Sequence, residues 1–346
     1  MDTEIAVIGA GQSGLALGHE LHRMKADFLI LDAASQVGAS WRDRWDSLRL
    51  FTPARYNGLP GLRFPGHPNH HPGKDEVAAY LAEYAHAFDL PLRLRTRVTA
   101  LTKDDGFRLE TSTGTVLAKQ VVLATGPFQK PHVPLVAARL ADTVVSLHSS
   151  GYRNPEQLPD GCVVVVGAGN SGVQIAAELA AHGRSVVLSG RELPRLPQRF
   201  LGADLFRWFD RLGLLEVSAD SPRGQKMRTR EMIIGTDLRG PVRAGLITRV
   251  GRLSAADGRR MEFEGGSGVL ADAVVWATGY RTSLPWVDTA VLDDTGVPRQ
   301  NQGMTGLDGL YVLGLPWMTH RASALLAGAG RDAALIASHI AARRKP

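Results

Sequence analysis

The same order of apolar and polar positions occurs twice in this chain. In "EIAVIGAGQSGLALGHELHR" (4–23) an apolar run of strand length ends in a glycine turn, and a helix-length stretch follows. In "VVVVGAGNSG" (163–172) the run and turn are nearly identical, and the helical stretch "VQIAAELAAHG" comes next. Apolar runs of this length bounded by glycine read as buried strands of a parallel sheet. Each unit continues into a second apolar strand, "FLILD" and "SVVLSGR" respectively. The pattern predicts two βαβ units about 160 residues apart. Short strand signals follow each unit. They lie near 97–101, 107–111 and 115–117 after the first, and near 249–253 and 260–263 after the second. Each set ends in a matching phrase, "VVLATGP" (121–127) and "VVWATGY" (274–280). The spacing from Gly9 to Gly126 is 117 residues and from Gly167 to Gly279 it is 112. The expected fold is therefore α/β, with two dinucleotide-binding (Rossmann-like) domains.

After Gly279 about 67 residues remain, too few for a third module of this kind. They carry a strand, "GLYVLG" (309–314), and a helix from about Ala322. The expectation is that they return to the first module. This places a first domain at 1–155 plus 280–346, with the second, 156–279, inserted into it. Linkers are expected near 152–161 and 278–285.

The glycine positions have a physical reason. In each turn one glycine makes the bend, one lets the backbone approach a pyrophosphate, and one lets helix and strand pack closely. These are Gly9, Gly11 and Gly14, then Gly167, Gly169 and Gly172. The helix start behind each turn points free N–H groups and a positive dipole end at the phosphates. Asp32 ends the second strand of the first unit, where an acid accepts hydrogen bonds from an adenosine ribose. No acid ends the matching strand of the second unit. Ser189 and Arg191 stand there instead, a pair suited to a ribose 2′-phosphate. Site one thus suits an unphosphorylated dinucleotide and site two suits NADP(H). One site holding a flavin and the other a nicotinamide that reduces it is a natural use of two such sites.

Composition narrows the classes. The chain has 346 residues, a net charge of +6 and one cysteine, Cys162. A single cysteine excludes an internal disulfide and a Cys-x-x-Cys redox motif. No apolar run reaches the ~18–20 residues of a membrane span. The first strand begins at about Glu4, which leaves no room for a cleaved signal peptide. These features read as a cytoplasmic protein. The basic charges are scattered, and the densest run (223–230) has no interleaved aromatics, so neither nucleic acid nor membrane is an expected partner. "HPNHHP" (67–72) gathers three histidines. Proline at both ends and no partnered Cys or Glu motif favour a loop over a metal site.

The two glycine fingerprints, the two ATG segments, "GASWRDRWDSLRLFTPARYNGLPG" and "HSSGYRNP" together resemble the flavin-containing monooxygenases, in their short bacterial form. The plant indole-pyruvate monooxygenases are longer relatives of that form. The family marker FxGxxxHxxxY is incomplete here. His148 and Tyr152 keep its last two anchors, while Asp142 and Val144 replace the Phe and Gly. The resemblance implies FAD at the first site, with Gly9, Gly11, Gly14 and Asp32 on pyrophosphate and ribose. It places Gly38, Trp41 and Arg42 beside the flavin, Val98 near the adenine, and Thr125, Gly126 and Gly279 in the two ATG turns. It implies NADPH on Gly167, Gly169, Gly172, Ser189 and Arg191. The last helix would aim its N-terminus at the flavin pyrimidine, with Ala324 and Leu325 as backbone donors. Trp317 and His320 precede that helix as possible substrate-pocket residues.

The implied reaction is NADPH-dependent insertion of one oxygen atom of O₂ into a soft sulfur or nitrogen nucleophile of a small molecule, through a C4a-hydroperoxyflavin shielded by NADP⁺. The alternative is an oxidoreductase that passes electrons on without oxygen insertion. Asn57 stands as a contact for the oxygen adduct, although Asn-Gly is equally a turn signal. His148 stands as a nicotinamide-side residue or as a hydrogen-bonded linker histidine. A monomer or homodimer is expected.

Overall fold

Both apolar runs become central parallel strands. The computed structural model describes residues 1–230, 232–287 and 291–344. In the first sheet, β1 (Asp2–Ile8), β2 (Phe28–Leu31), β3 (Leu92–Arg93), β4 (Val98–Lys103), β5 (Phe107–Thr111) and β6 (Gly114–Leu123) are joined by a late strand, Leu310–Val312. β1 lies between β2 and β6, parallel to both, with Ile5 opposite Phe28 and Gln120. Leu310–Val312 lies on the other side of β6, also in parallel. Ile5, Ala6, Val7, Ile30, Leu31, Val121 and Val122 are buried. A strand covered on both faces has no polar side to show, so it reads as an unbroken apolar run. The strand signals near 115–117 and 121–123 are one strand, β6. Its first half pairs antiparallel with β5 and its second half parallel with β1.

The second sheet runs in the order Ile247–Val250, Ser185–Ser189, Cys162–Val166, Ala273–Trp276, Val145–His148, all parallel. Alternate residues face two separate cores. Val163, Val165, Ala273 and Val275 pack with Ile175 and Leu179 of the helix Asn170–Ala181, while Val164, Val166, Val274 and Trp276 pack against Met261 and Phe263, as the period of two requires.

Two boundaries differ from the sequence reading. Strand Val145–His148 pairs with Ala273–Trp276, so the chain enters the second sheet before residue 155. The crossing itself is a short antiparallel pair, Lys130–Pro131 with Tyr280–Arg281. The signal near 249–253 also divides. Ile247–Val250 belongs to the parallel sheet, and Leu253–Asp257 starts a separate antiparallel sheet with Arg260–Phe263 and Gly268–Leu270. Residues 288–290, 345 and 346 of the expected C-terminal return lie outside the described residues.

The last helix, Leu326–Arg344, begins four residues later than expected, because hydrogen-bonded turns occupy 319–325. Its buried positions Ala329, Ala333, Ile336, Ala337 and Ile340 fall on one face. They join the core of the first sheet together with Leu15, Leu17 and Leu21 of α1 (Gln12–Arg23). Burying the two isoleucines contributes about 1.5–3 kcal/mol each.

Candidate active site

The two glycine turns have the same geometry. Gly9 and Gly167 have φ of 115° and 113°, which L-residues avoid. Each N–H donates to the end of the neighbouring strand, Gly9 to the Leu31 carbonyl (2.7 Å) and Gly167 to that of Ser189 (2.8 Å). A Cβ at Gly14 would lie 1.9 Å from the Gly9 carbonyl oxygen, and one at Gly172 would lie 1.8 Å from that of Gly167. No side chain fits at either helix–turn contact. Gly11 and Gly169 differ from the others. Both have ordinary φ of −77° at the helix N-cap, and a Cβ there would meet nothing within 4 Å. The glycine keeps this space open without being required by the fold. Such an open cradle before a helix N-terminus fits a pyrophosphate.

The ATG segments close both cradles alike. Ala124 N–H donates to the Ile8 carbonyl (2.9 Å) and Ala277 N–H to that of Val166 (2.8 Å). In both sheets the cradle thus sits at the carboxyl ends of the strands, where the strand order reverses, which is the ligand position in such folds.

At the end of β2, Asp32 accepts hydrogen bonds from Ala10 N–H (2.6 Å, Oδ2) and Ala34 N–H (2.7 Å, Oδ1). Its carboxylate therefore fixes the loop that holds the first cradle, and each oxygen keeps a lone pair for a ribose hydroxyl. Thr96 N–H donates to the Asp32 carbonyl (2.8 Å). This brings Val98, buried in β4, to the same end of the sheet. The expectation for Ser189 needs correction. It is 0% exposed, and its hydroxyl donates to the Gly251 carbonyl (2.9 Å). A hydroxyl turned inward cannot meet a phosphate. Arg191, two residues on, is exposed.

The segment expected beside the flavin is held from below. Lys74 Nζ donates to the Arg42 carbonyl (3.1 Å), the Arg44 carbonyl (3.0 Å) and Asp46 Oδ1 (2.6 Å). Lys74 and Asn154 together hold the Asp46 carboxyl below its ordinary range. Trp41 and Arg42 are partly exposed. Arg42 Nε and Trp45 Nε1 are buried donors with no protein acceptor, and an acceptor-rich ligand on this segment would satisfy them. Gly38 does not line an opening. It is buried, and a Cβ there would lie 2.7 Å from the Ala78 carbonyl oxygen, so its role is close packing on the helix Lys74–Ala87.

His148 sits where the two sheets join. Its Nε2 donates to the Gly279 carbonyl (2.9 Å), and its Nδ1 accepts from Ser150 N–H (3.1 Å). Burial pushes its pKa below the ordinary value, and Arg44 and His132 push it the same way. It is a neutral, hydrogen-bonded junction residue. Tyr280 packs edge-on against it at 5.0 Å, and the Arg44 guanidinium lies 5.3 Å from the rings of both Tyr280 and Phe128. Gln129 ties the two crossings together. It donates to Thr125 Oγ1 (2.8 Å) and the Gly126 carbonyl (2.9 Å), and its Oε1 accepts from Ser283 N–H (2.8 Å). Tyr152 is buried and donates to Glu178 (2.8 Å), which anchors the junction to the helix Asn170–Ala181.

A cavity of about 760 Å³ opens between the 55–63 loop, residues 210–216 and the entry to the last helix. His320, Ala322 and Ala327 line it. Gln12 Nε2 donates to the Ala324 carbonyl (2.9 Å), which joins this helix entry to the first cradle. Two expectations here are corrected. Leu325 N–H is used by the Ala322 carbonyl (2.8 Å), so it is no donor for a ligand. Asn57 is 0% exposed. Its Nδ2 donates to the Thr52 carbonyl (3.0 Å) and its Oδ1 accepts from Thr52 Oγ1 (2.7 Å), so it closes its own loop. Trp317 is partly exposed with φ of 56° and lies outside the cavity wall.

Gln12, Lys74, Arg44 and Gln129 were not legible as site residues. Their partners lie 312, 28, 236 and 154 positions away, and no local pattern marks them. Two histidines of "HPNHHP" bind acids: His70 meets Glu76 (2.8 Å) and His71 meets Asp204 (3.1 Å). Among the described residues no group of His, Cys, Asp and Glu could hold a metal ion, and no helix is long and apolar enough to cross a membrane.

Comparison with known proteins agrees with this fold. The family model for pyridine nucleotide-disulphide oxidoreductases matches residues 6–199. An uncharacterised CzcO-like oxidoreductase of Geobacillus kaustophilus is 42% identical over 97% of this chain and 98% of its own. A probable indole-3-pyruvate monooxygenase of Arabidopsis thaliana, YUCCA1, is 28% identical over 96% of this chain and 88% of its own. The solved structure of a flavin-containing monooxygenase from Stenotrophomonas maltophilia superposes with a TM-score of 0.84 at 27% identity, covering 99% of both chains. The chain belongs to the pyridine nucleotide-disulphide oxidoreductase family and, within it, is a flavin-dependent oxidoreductase of the monooxygenase kind.

Proposed function

We propose that this enzyme is an NADPH-dependent FAD monooxygenase that places one oxygen atom of O₂ on a sulfur or nitrogen nucleophile of a small molecule, the other atom leaving as water. The observation that carries the reading is the pair of equivalent open cradles at Gly11 and Gly169 in a chain whose one cysteine, Cys162, cannot form a dithiol relay. Bound FAD supplies hydride acceptance from the nicotinamide and the activation of O₂. Gly9, Gly11, Gly14 and Asp32 hold its pyrophosphate and ribose, Trp41 and Arg42 flank the ring system, and Val98, Thr125 and Gly126 border its path. Gly167, Gly169 and Gly172 cradle the nicotinamide dinucleotide, Arg191 meets its 2′-phosphate, and Gly279 lies in its ATG turn. His148 fixes the junction through the Gly279 carbonyl. Ala324, bonded to Gln12, keeps the last helix facing the first cradle. The 760 Å³ cavity beside that helix receives the substrate.

The test is oxygen labelling. Purified protein should be yellow and release FAD on denaturation. With NADPH and ¹⁸O₂ it should yield a thioether or amine product carrying one labelled atom. Consumption of NADPH with stoichiometric peroxide, and no oxygenated product from any thioether or amine tried, would favour electron transfer without insertion.

A further inference from the structure

His320 lines the cavity and is 2% exposed, and Asp332, beside its ring, is 0% exposed. Nothing in the cofactor chemistry above uses them. Thr319 Oγ1 donates a short hydrogen bond to Asp332 Oδ1. Its one proton is therefore spent, so its 2.7 Å contact with His320 Nδ1 pairs with a protonated ring nitrogen; Ser323 Oγ makes a longer contact of 3.3 Å with the same nitrogen. Asp332 Oδ1 also lies 3.3 Å from Nδ1. Ser323 Oγ accepts from the backbone N–H of both Thr319 and His320 (3.1 Å each), which locks the turn that carries the ring. With Nδ1 protonated, Nε2 holds the lone pair. Nε2 lies beside Gly328, where a Cβ would come within 2.8 Å of it, and it has no protein partner. Asp332 Oδ2 is buried without a hydrogen bond. Asp332 Oδ1, 3.3 Å from Nδ1, would face the positive charge of the ring once Nε2 takes a proton.

We infer that His320 is a general base of the cavity, positioned by Thr319 and Asp332, and that the substrate is a nucleophile carrying a removable proton, an ammonium or a thiol. The inference rests on the monooxygenase reading. An ammonium has no lone pair to offer an electrophilic oxygen, and a thiol is far less nucleophilic than its thiolate. Nε2 takes the proton from R–NH₃⁺ or R–SH, leaving R–NH₂ or R–S⁻ and an imidazolium beside Asp332. No electrons change hands in this step. The overall oxygenation consumes one proton to form water, so the proton removed has an acceptor in the same cycle.

The experiment compares benzylamine and benzyl mercaptan with methyl phenyl sulfide, a thioether with no proton to lose, in the FAD-loaded enzyme. In His320→Gln the kcat ratio of either protic probe to the thioether should fall about 100-fold, within the range of general-base catalysis. Asp332→Asn should move the same ratio in the same direction, which a merely structural defect would not. Melting temperature and FAD content identify a variant that fails to fold, and the other variant then decides. A second readout needs no turnover. Benzylamine should protect one histidine from carbethoxylation at 240 nm in the wild type and none in His320→Gln. An unchanged ratio in the folded variants, or a wild type that oxygenates only the thioether, overturns the inference and leaves the monooxygenase reading standing. A wild type that oxygenates none of the three, with NADPH ending in peroxide, removes that reading and the inference with it.

Discussion

Gly11→Ala separates what the fold needs from what the cofactor needs. A Cβ at residue 11 meets no atom within 4 Å, and φ −77°, ψ −178° is open to alanine. The apoprotein gains from a less flexible unfolded chain, by about 0.4–1 kcal/mol. It loses a few tenths at the helix N-cap, where glycine outranks alanine. The net change is within about 0.5 kcal/mol, so the apoprotein melting temperature should move by no more than about 2 °C. A phosphate in the cradle would be pushed off the backbone N–H groups by the same methyl. Charge-assisted hydrogen bonds contribute about 1.5–3 kcal/mol each. Losing two weakens FAD binding by roughly 10²- to 10⁴-fold. Gly14→Ala is the control. Its Cβ would sit 1.9 Å from the Gly9 carbonyl oxygen, backbone against side chain with no room to relax. It should cost about 3 kcal/mol or more, lowering the apoprotein melting temperature by about 6–12 °C. Apoprotein melting followed by circular dichroism, and FAD titration followed by flavin fluorescence, measure the two effects separately. Wild-type FAD affinity in Gly11→Ala, or a loss of fold equal to that of Gly14→Ala, would refute the reasoning.

In the second module, Arg191→Ala should raise KM for NADPH roughly tenfold and leave NADH nearly unchanged, since one partly solvated phosphate contact is worth about 1.5 kcal/mol. Ser189→Ala should leave both cofactors unaffected and cost about 1 kcal/mol of stability through the lost bond to Gly251; a selective NADPH defect there would reinstate the serine as a phosphate ligand. The His71–Asp204 bridge makes stability depend on pH. The hydrogen bond that its ring donates to Asp204 raises the pKa of His71 above its ordinary 6.5, against the opposing effect of burial. The contribution is therefore full below about pH 6.5 and fades as pH rises through the raised value. The melting temperature gap between wild type and His71→Gln should be larger at pH 5.5 than at pH 9, by about 0.5–1 kcal/mol equivalent for this partly exposed pair, and an equal gap at both pH values would count against it.

The repeat was legible because its causes are local. A strand buried on both faces must be apolar at every position, and a turn that abuts its own helix accepts only glycine. Gly9, Gly14, Gly167 and Gly172 therefore announce themselves in one dimension, as does the pair of ATG segments that close on them. The sequence by itself thus determined the two βαβ units, the return of the last strand and the absence of a dithiol. What it could not determine were outcomes of side-chain direction and of distant contact. Ser189 and Arg191 are equally polar on paper, yet strand pairing turns the serine inward to Gly251 and leaves the arginine outside. Asn57 is as polar as any catalytic amide, yet Thr52 uses both ends of it. Lys74 reads as a surface lysine at a helix start and becomes the buried clamp of the Arg42–Asp46 segment only when that helix docks. Strand Val145–His148 has no signature that assigns it to one sheet or the other. Only the tertiary structure decides that Ala273–Trp276 is its partner, because hydrogen bonds between strands 128 residues apart depend on which edge is free when the chain returns.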